Sequence, residues 1–185
     1  MSLNKKRRAS TETLALTAIL TALVIVLQLL GSFIRFGPFS ISLVLLPIVI
    51  GAAKCGAKAG AWLGLVFGLV VLISGDAALF LAVNVPGTIL TVLLKGALSG
   101  LCAGLVYKLL EKHNKYVAVM VAALVCPIVN TGIFFLGCLA FFMEIVGEDA
   151  TAFFVSLITT NFLIEIVTNV VLSPAVVRLL NLKKK

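Results

Sequence analysis

Lys95 and Glu165 are ionisable residues that each stand alone inside a long apolar run. A charge in hydrocarbon costs at least about 2.5 to 3.5 kcal/mol, so each is expected to face a bundle interior or a wet cavity. Polar neighbours accompany both at helical spacing. Asn161, Glu165 and Asn169 recur at i, i+4 and i+8 on one helical face, Thr91 and Lys95 share another, and Asn130-Thr131 sits at mid-depth in a third apolar run. Together with Asn84 in the connection ahead of Lys95, these groups suit a small polar solute. Lys95 would meet a carboxylate, and Asn84, Thr91, Asn130, Asn161 and Glu165 would supply hydrogen bonds along its way in. Plainer readings stay open beside this one. Lys95 and Glu165 can form an ion pair that serves packing alone. Asn130 and Thr131 can cap the backbone break at Pro127, and Asn169 can bond a neighbouring helix.

Other chemistries lack their residues. The run Gly51-Ala-Ala-Lys-Cys-Gly-Ala-Lys58 is superficially similar to a phosphate loop but lacks the Gly-Lys-Ser/Thr ending, so no ATP site is expected. His113 is the single histidine and lies in a lysine-rich connection; with no Ser-based dyad or carboxylate pair at a plausible depth, hydrolysis is not expected. Cys55, Cys102, Cys126 and Cys138 show no CxxC spacing and read as small packing residues, with neither disulfide nor metal site indicated. No enzyme and no cofactor are expected.

The elements that must position these residues are membrane spans. With 62% hydrophobic and 12% charged residues, the chain is far from soluble domains, where about 45 to 50% and about 25% are usual. At 185 residues it has room for about six spans of roughly 20 residues and no separate soluble domain. All but Arg35 and Lys95 of its 15 basic residues fall into four clusters, at 5–8, 54–58, 108–115 and 178–185. The acids Asp76, Glu144, Glu148 and Asp149 occupy the other connections. By the positive-inside tendency the basic clusters are cytoplasmic, which also discounts nucleic acid as the cause of the +8 net charge.

The expected path is an all-α membrane bundle of six transmembrane helices, at Thr11–Gly31, Ile41–Ala53, Ala59–Ser74, Gly87–Leu110, Tyr116–Phe142 and about Thr151–Leu180. Residues 1–185 form a single integral membrane domain with both termini cytoplasmic, a basic N-terminus at 1–10 and a basic tail at 181–185. The first run, about 20 residues without a small-residue cleavage site, reads as a retained span. Inner turns are short. The longer outer connections, Gly31–Ser40, Gly75–Pro86 and Met143–Ala150, hold the glycines, prolines and acids suited to a lid. Gly60, Gly64 and Gly68 put a smooth groove on the third span, and Ala15, Ala18 and Ala22 a small-residue face on the first; both permit close helix approach.

These residues carry a family resemblance. The Ala18-x-x-x-Ala22 face, six spans in under 200 residues, Ile41-Ser-Leu-Val-Leu-Leu-Pro-Ile-Val-Ile-Gly51, the Gly60/Gly64/Gly68 helix, Lys95-Gly-Ala-Leu-Ser-Gly-Leu-Cys-Ala-Gly104 and Asn130-Thr131-Gly132 together resemble the substrate-binding S component of an energy-coupling factor (ECF) transporter. The local runs are similar to the branch of pantothenate and folate carriers. The resemblance implies a multi-pass subunit of a prokaryotic plasma membrane that binds a vitamin from outside and topples against a transmembrane coupling protein driven by two ATPase subunits. It makes Ala15, Ala18 and Ala22 the docking surface and leaves ATP to the partners. Pantothenate is the leading ligand, with folate and riboflavin as alternatives. The other classes are a solitary transporter or channel with a Lys95/Glu165 proton relay, against which the lack of a convincing inverted repeat weighs, and a membrane scaffold or enzyme subunit.

Overall fold

The computed structural model describes the backbone of residues 2–33, 35–36, 39–40, 43–141, 159–160, 162–174 and 176–178, and the side chains of those residues from 11 onward except 33–40. The first helix, α1, spans Ser2–Phe33. It begins ahead of the expected Thr11 because nothing in the Lys/Arg/Ala-containing leader breaks a helix. An antiparallel ladder follows in which β1 (Arg35–Phe36) pairs with β2 (Phe39–Ser40), Arg35 opposite Ser40 and Phe36 opposite Phe39. The rest of the described chain is helical.

Helix α2 (Leu45–Cys55) has Pro47 in its first turn, where a missing N–H costs nothing. Its 11 residues reach only about 16 Å, half a hydrocarbon core. Helix α3 (Ala57–Ile73) follows after one residue, Gly56, whose φ of 92° makes the turn that Lys54 and Lys58 flank. Gly75, at φ 85°, ends it. The next connection, expected as an open loop, contains the short helix α4 (Ala78–Val83), anchored by buried Phe80. Helix α5 (Val85–Leu110) starts where Asn84 caps it: Oδ1 accepts from the Gly87 amide at 3.0 Å, with Pro86 in the first turn. Helix α6 (Lys115–Phe141) starts at Asn114, whose Oδ1 accepts from the amides of Tyr116 (2.9 Å) and Val117 (3.4 Å). A final helical stretch covers the described residues between 159 and 178. The expected third outer connection, the start of the sixth span and the basic tail lie outside the described residues.

The seam between α3 and α5 organises the bundle. Gly60 faces Gly100, Gly64 faces Gly96, Gly68 faces Val92 and Gly104 faces Ala57, so the two helices run antiparallel with backbones in contact. A methyl on Gly68 would sit 2.7 Å from the Val92 carbonyl oxygen, and one on Gly64 would overlap that of Gly96. The groove expected on Gly60, Gly64 and Gly68 is therefore filled by glycines and small residues of α5. On its other side α5 packs against α6, where Gly87 meets Phe141 and Gly137 meets Thr91. Leu45, Ile48 and Val49 of α2, Leu63 of α3 and Val119 of α6 complete a fully buried core.

Two consequences concern the site. The α2–α3 and α5–α6 turns lie at one end of the bundle, which gathers Lys54, Lys58, Lys108, Lys112 and Lys115 there, while Asp76 and Asn84 lie at the other. Helix α1 is peripheral, resting on α2 and α3 through the stripe Leu20, Val24 and Gln28. Helices Thr11–Ser32, Val85–Leu110 and Lys115–Phe141 are long and apolar enough to cross a membrane, and α2 and α3 are shorter apolar helices.

Candidate functional site

The glycine seam places Lys95. Its neighbour Gly96 is pinned against Gly64, so the lysine leaves α5 at the closest approach of two backbones, and its ammonium comes to rest against aromatic faces. Nζ lies 4.5 Å from the ring centroid of Phe134 on α6 and 5.8 Å from that of Phe67 on α3. Phe80 of α4 backs Phe134 edge-on, with centroids 5.0 Å apart and planes at 78°. A cation over a ring face gains about 0.5 to 2 kcal/mol, more as water is excluded. Among the described residues, the carboxylates of Glu165 and Asp76 are near enough to act on this ammonium electrostatically.

Glu165 is 2% exposed and collects hydrogen bonds from α6. Asn130 Nδ2 donates to its Oε2 at 3.4 Å and its Oε1 at 3.5 Å, and Thr131 Oγ1 donates to Oε2 at 3.1 Å. These two residues therefore reach across to the carboxylate instead of healing the break at Pro127. Asn169 turns its Nδ2 back to the Glu165 carbonyl oxygen at 2.8 Å, within its own helix. The polar face read from the i, i+4 spacing thus points inward, and two of the three polar stripes meet at Glu165. Asn161 lies outside the described residues.

The remaining expected ligand groups hold structural positions here. Asn84 uses Oδ1 as the α5 cap and Nδ2 to donate to the Phe141 carbonyl oxygen at 3.5 Å. Thr91 is buried against Gly137, sharing a face of α5 with Lys95. Ala15, Ala18 and Ala22 are exposed, on the side of α1 turned away from its buried stripe.

Sequence reasoning missed a third polar centre. Asp76 Oδ2 accepts from Gln28 Nε2 at 2.7 Å, from Ser74 Oγ at 2.9 Å and from Ser32 Oγ, tying α1 to the α3–α4 turn. Gln28 is 4% exposed. Gln28 and Ser32, four apart in an otherwise apolar helix, were the available signal. The rings around Lys95 gave none, because Phe67, Phe80 and Phe134 come from three different helices.

A bundle of apolar helices that keeps a cation, a carboxylate and several amides in its interior is an integral membrane protein with a polar interior site. The chain belongs to the family of ECF transporter substrate-specific components, whose family model matches residues 12–177. It matches no curated protein and no solved structure. Membership makes it the substrate-specific subunit of an ECF transporter, a transport protein and not an enzyme, which works with an ECF module of coupling and ATPase subunits.

Proposed function

We propose that this subunit captures a small vitamin carboxylate, pantothenate foremost, from outside a prokaryotic plasma membrane and delivers it by docking on its coupling protein. The observation that carries the reading is the Lys95 ammonium held against Phe67 and Phe134 inside the bundle. Ring faces stabilise the cation less than a carboxylate does in a poorly hydrated site, so an entering anion competes well for it. Six spans put both termini and the lysine-bearing turns on the cytoplasmic side, where the positive-inside tendency favours them. The Asp76/Asn84 end then faces outward, with α4 and the β1–β2 hairpin as lid material. Ala15, Ala18 and Ala22 offer the docking face. Their exposure and small size favour close approach by a partner helix.

The test is equilibrium binding of pantothenate, folate and riboflavin to the purified full chain, with Lys95→Ala as the variant. Removing the cation from under a buried carboxylate lowers affinity by about 30-fold or more, corresponding to roughly 2 kcal/mol or above. Pantothenate binding that survives Lys95→Ala undiminished overturns the role given to this lysine.

A further inference from the structure

Buried polar groups in folded proteins almost always have hydrogen-bond partners, and the exceptions call for an explanation. Asn130 is 3% exposed and Asn169 is fully buried. Each spends its Nδ2 on Glu165, the first on the carboxylate and the second on the backbone carbonyl, and each is left with a buried Oδ1 that has no partner among the described residues. This part of the bundle therefore has a surplus of acceptors. The two amide oxygens lie beside a carboxylate that already takes the Asn130 amide and the Thr131 hydroxyl. Another anion or carbonyl brought here would add to the surplus. A hydroxyl, an amide N–H or a protonated amine would relieve it.

The α5–α6 register places this cluster relative to Lys95. Gly87 meets Phe141 and Thr91 meets Gly137, so Lys95 stands level with about residue 133 of α6. Asn130 is therefore about one turn, roughly 5 Å, farther from the Asp76/Asn84 end. One interior thus presents opposite demands at two depths, a cation nearer that end and unsatisfied acceptors beyond it.

We propose that the site selects ligands with two unlike ends, an anion for Lys95 and at least two hydrogen-bond donors for Asn130 Oδ1 and Asn169 Oδ1, with the donor end inserted first. The substrate class is a small monocarboxylate whose far end carries hydroxyl, amide or amine donors. This rests on the preceding reading that Lys95 receives the carboxylate.

The test compares two probes on the full chain in detergent: D-pantothenate, and its derivative with both hydroxyls blocked as methyl ethers, which keeps the carboxylate. Loss of the donors is expected to weaken binding to the natural protein by about 10- to 100-fold, since the amide oxygens stay unpaired. In Asn130→Leu and Asn169→Leu the gap between the two probes is expected to shrink toward onefold. The wild-type comparison alone decides if either variant fails to fold. Equal affinity of the two probes, with Lys95→Ala still damaging, overturns the donor site and leaves the lysine's role intact. If Lys95→Ala is harmless, the underlying reading falls and the orientation with it. If pantothenate does not bind, the same pair of measurements is made on whichever panel carboxylate does, and binding by none overturns both.

Discussion

Gly64→Ala adds one methyl at the tightest point of the α3–α5 seam. The new carbon would overlap the Gly96 carbonyl oxygen and lie 2.6 Å from its carbon, and these are backbone atoms with no rotamer to yield. Restoring an ordinary contact of about 3.5 Å requires the two helices to part by more than about 1.5 Å. That separation also loosens Gly60 against Gly100 and Gly68 against Val92. Overpacking typically costs about 1 to 3 kcal/mol, and backbone against backbone belongs at the upper end. At about 2 to 4 °C per kcal/mol for a chain of this length, the midpoint of thermal unfolding in detergent should fall by roughly 6 to 12 °C. Gly132→Ala is the control: its added methyl meets nothing within 4 Å among the described residues, and the gain in helix propensity makes it neutral or slightly stabilising. Parting the helices also carries Lys95 away from Phe67, already 5.8 Å distant and near the limit of such contacts, so ligand affinity should fall with stability. The same midpoint for Gly64→Ala and Gly132→Ala would refute the reasoning.

Three further outcomes follow from the polar centres and the exposed face. Asp76→Ala leaves buried Gln28 without its carboxylate partner, costing about 1 to 3 kcal/mol and raising hydrogen exchange in the Gln28–Ser32 turn, while exchange in α6 stays unchanged. Asn84→Ser keeps a side-chain oxygen for the α5 cap but deletes the amide, so ligand affinity should hold within about twofold if Asn84 is a cap alone; a larger loss on titration would restore it as a ligand contact. Ala18→Trp places a bulky ring on the exposed side of α1, where it should prevent co-purification of the coupling protein while vitamin binding by the isolated subunit persists.

Periodic, local features were legible in the sequence, and partnerships across the bundle were not. The Lys54–Lys58 turn, the glycine face of α3 and the inward set of Glu165 and Asn169 follow from spacing along one helix, which the chain displays directly. The pairing of Gly60 with Gly100 and Gly64 with Gly96 was half visible: both glycine series are in the sequence, but only the antiparallel register joins them. Helix α4 escaped because six residues inside a Gly- and Pro-flanked connection carry no period. The cap at Asn84 has a local trace, because Asn-Val-Pro-Gly is a helix-start pattern with proline in the first turn. The aromatic surroundings of Lys95 draw on three helices and have no one-dimensional trace.

The glycine seam has a mechanical consequence. Two helices whose backbones touch along four levels cannot slide or splay without breaking every level, so α3 and α5 behave as one stiff beam carrying Lys95 and Phe67 at fixed positions. Helix α6 is built differently, with Pro127 interrupting its hydrogen-bond ladder one turn from Asn130. Room for a ligand must then come from the α6 side, where Phe134 and Asn130 ride on the segment beyond the proline. The proposed binding site is a rigid jaw facing a compliant one, and the compliant jaw holds Asn130, one of the two acceptors proposed to read hydrogen-bond donors.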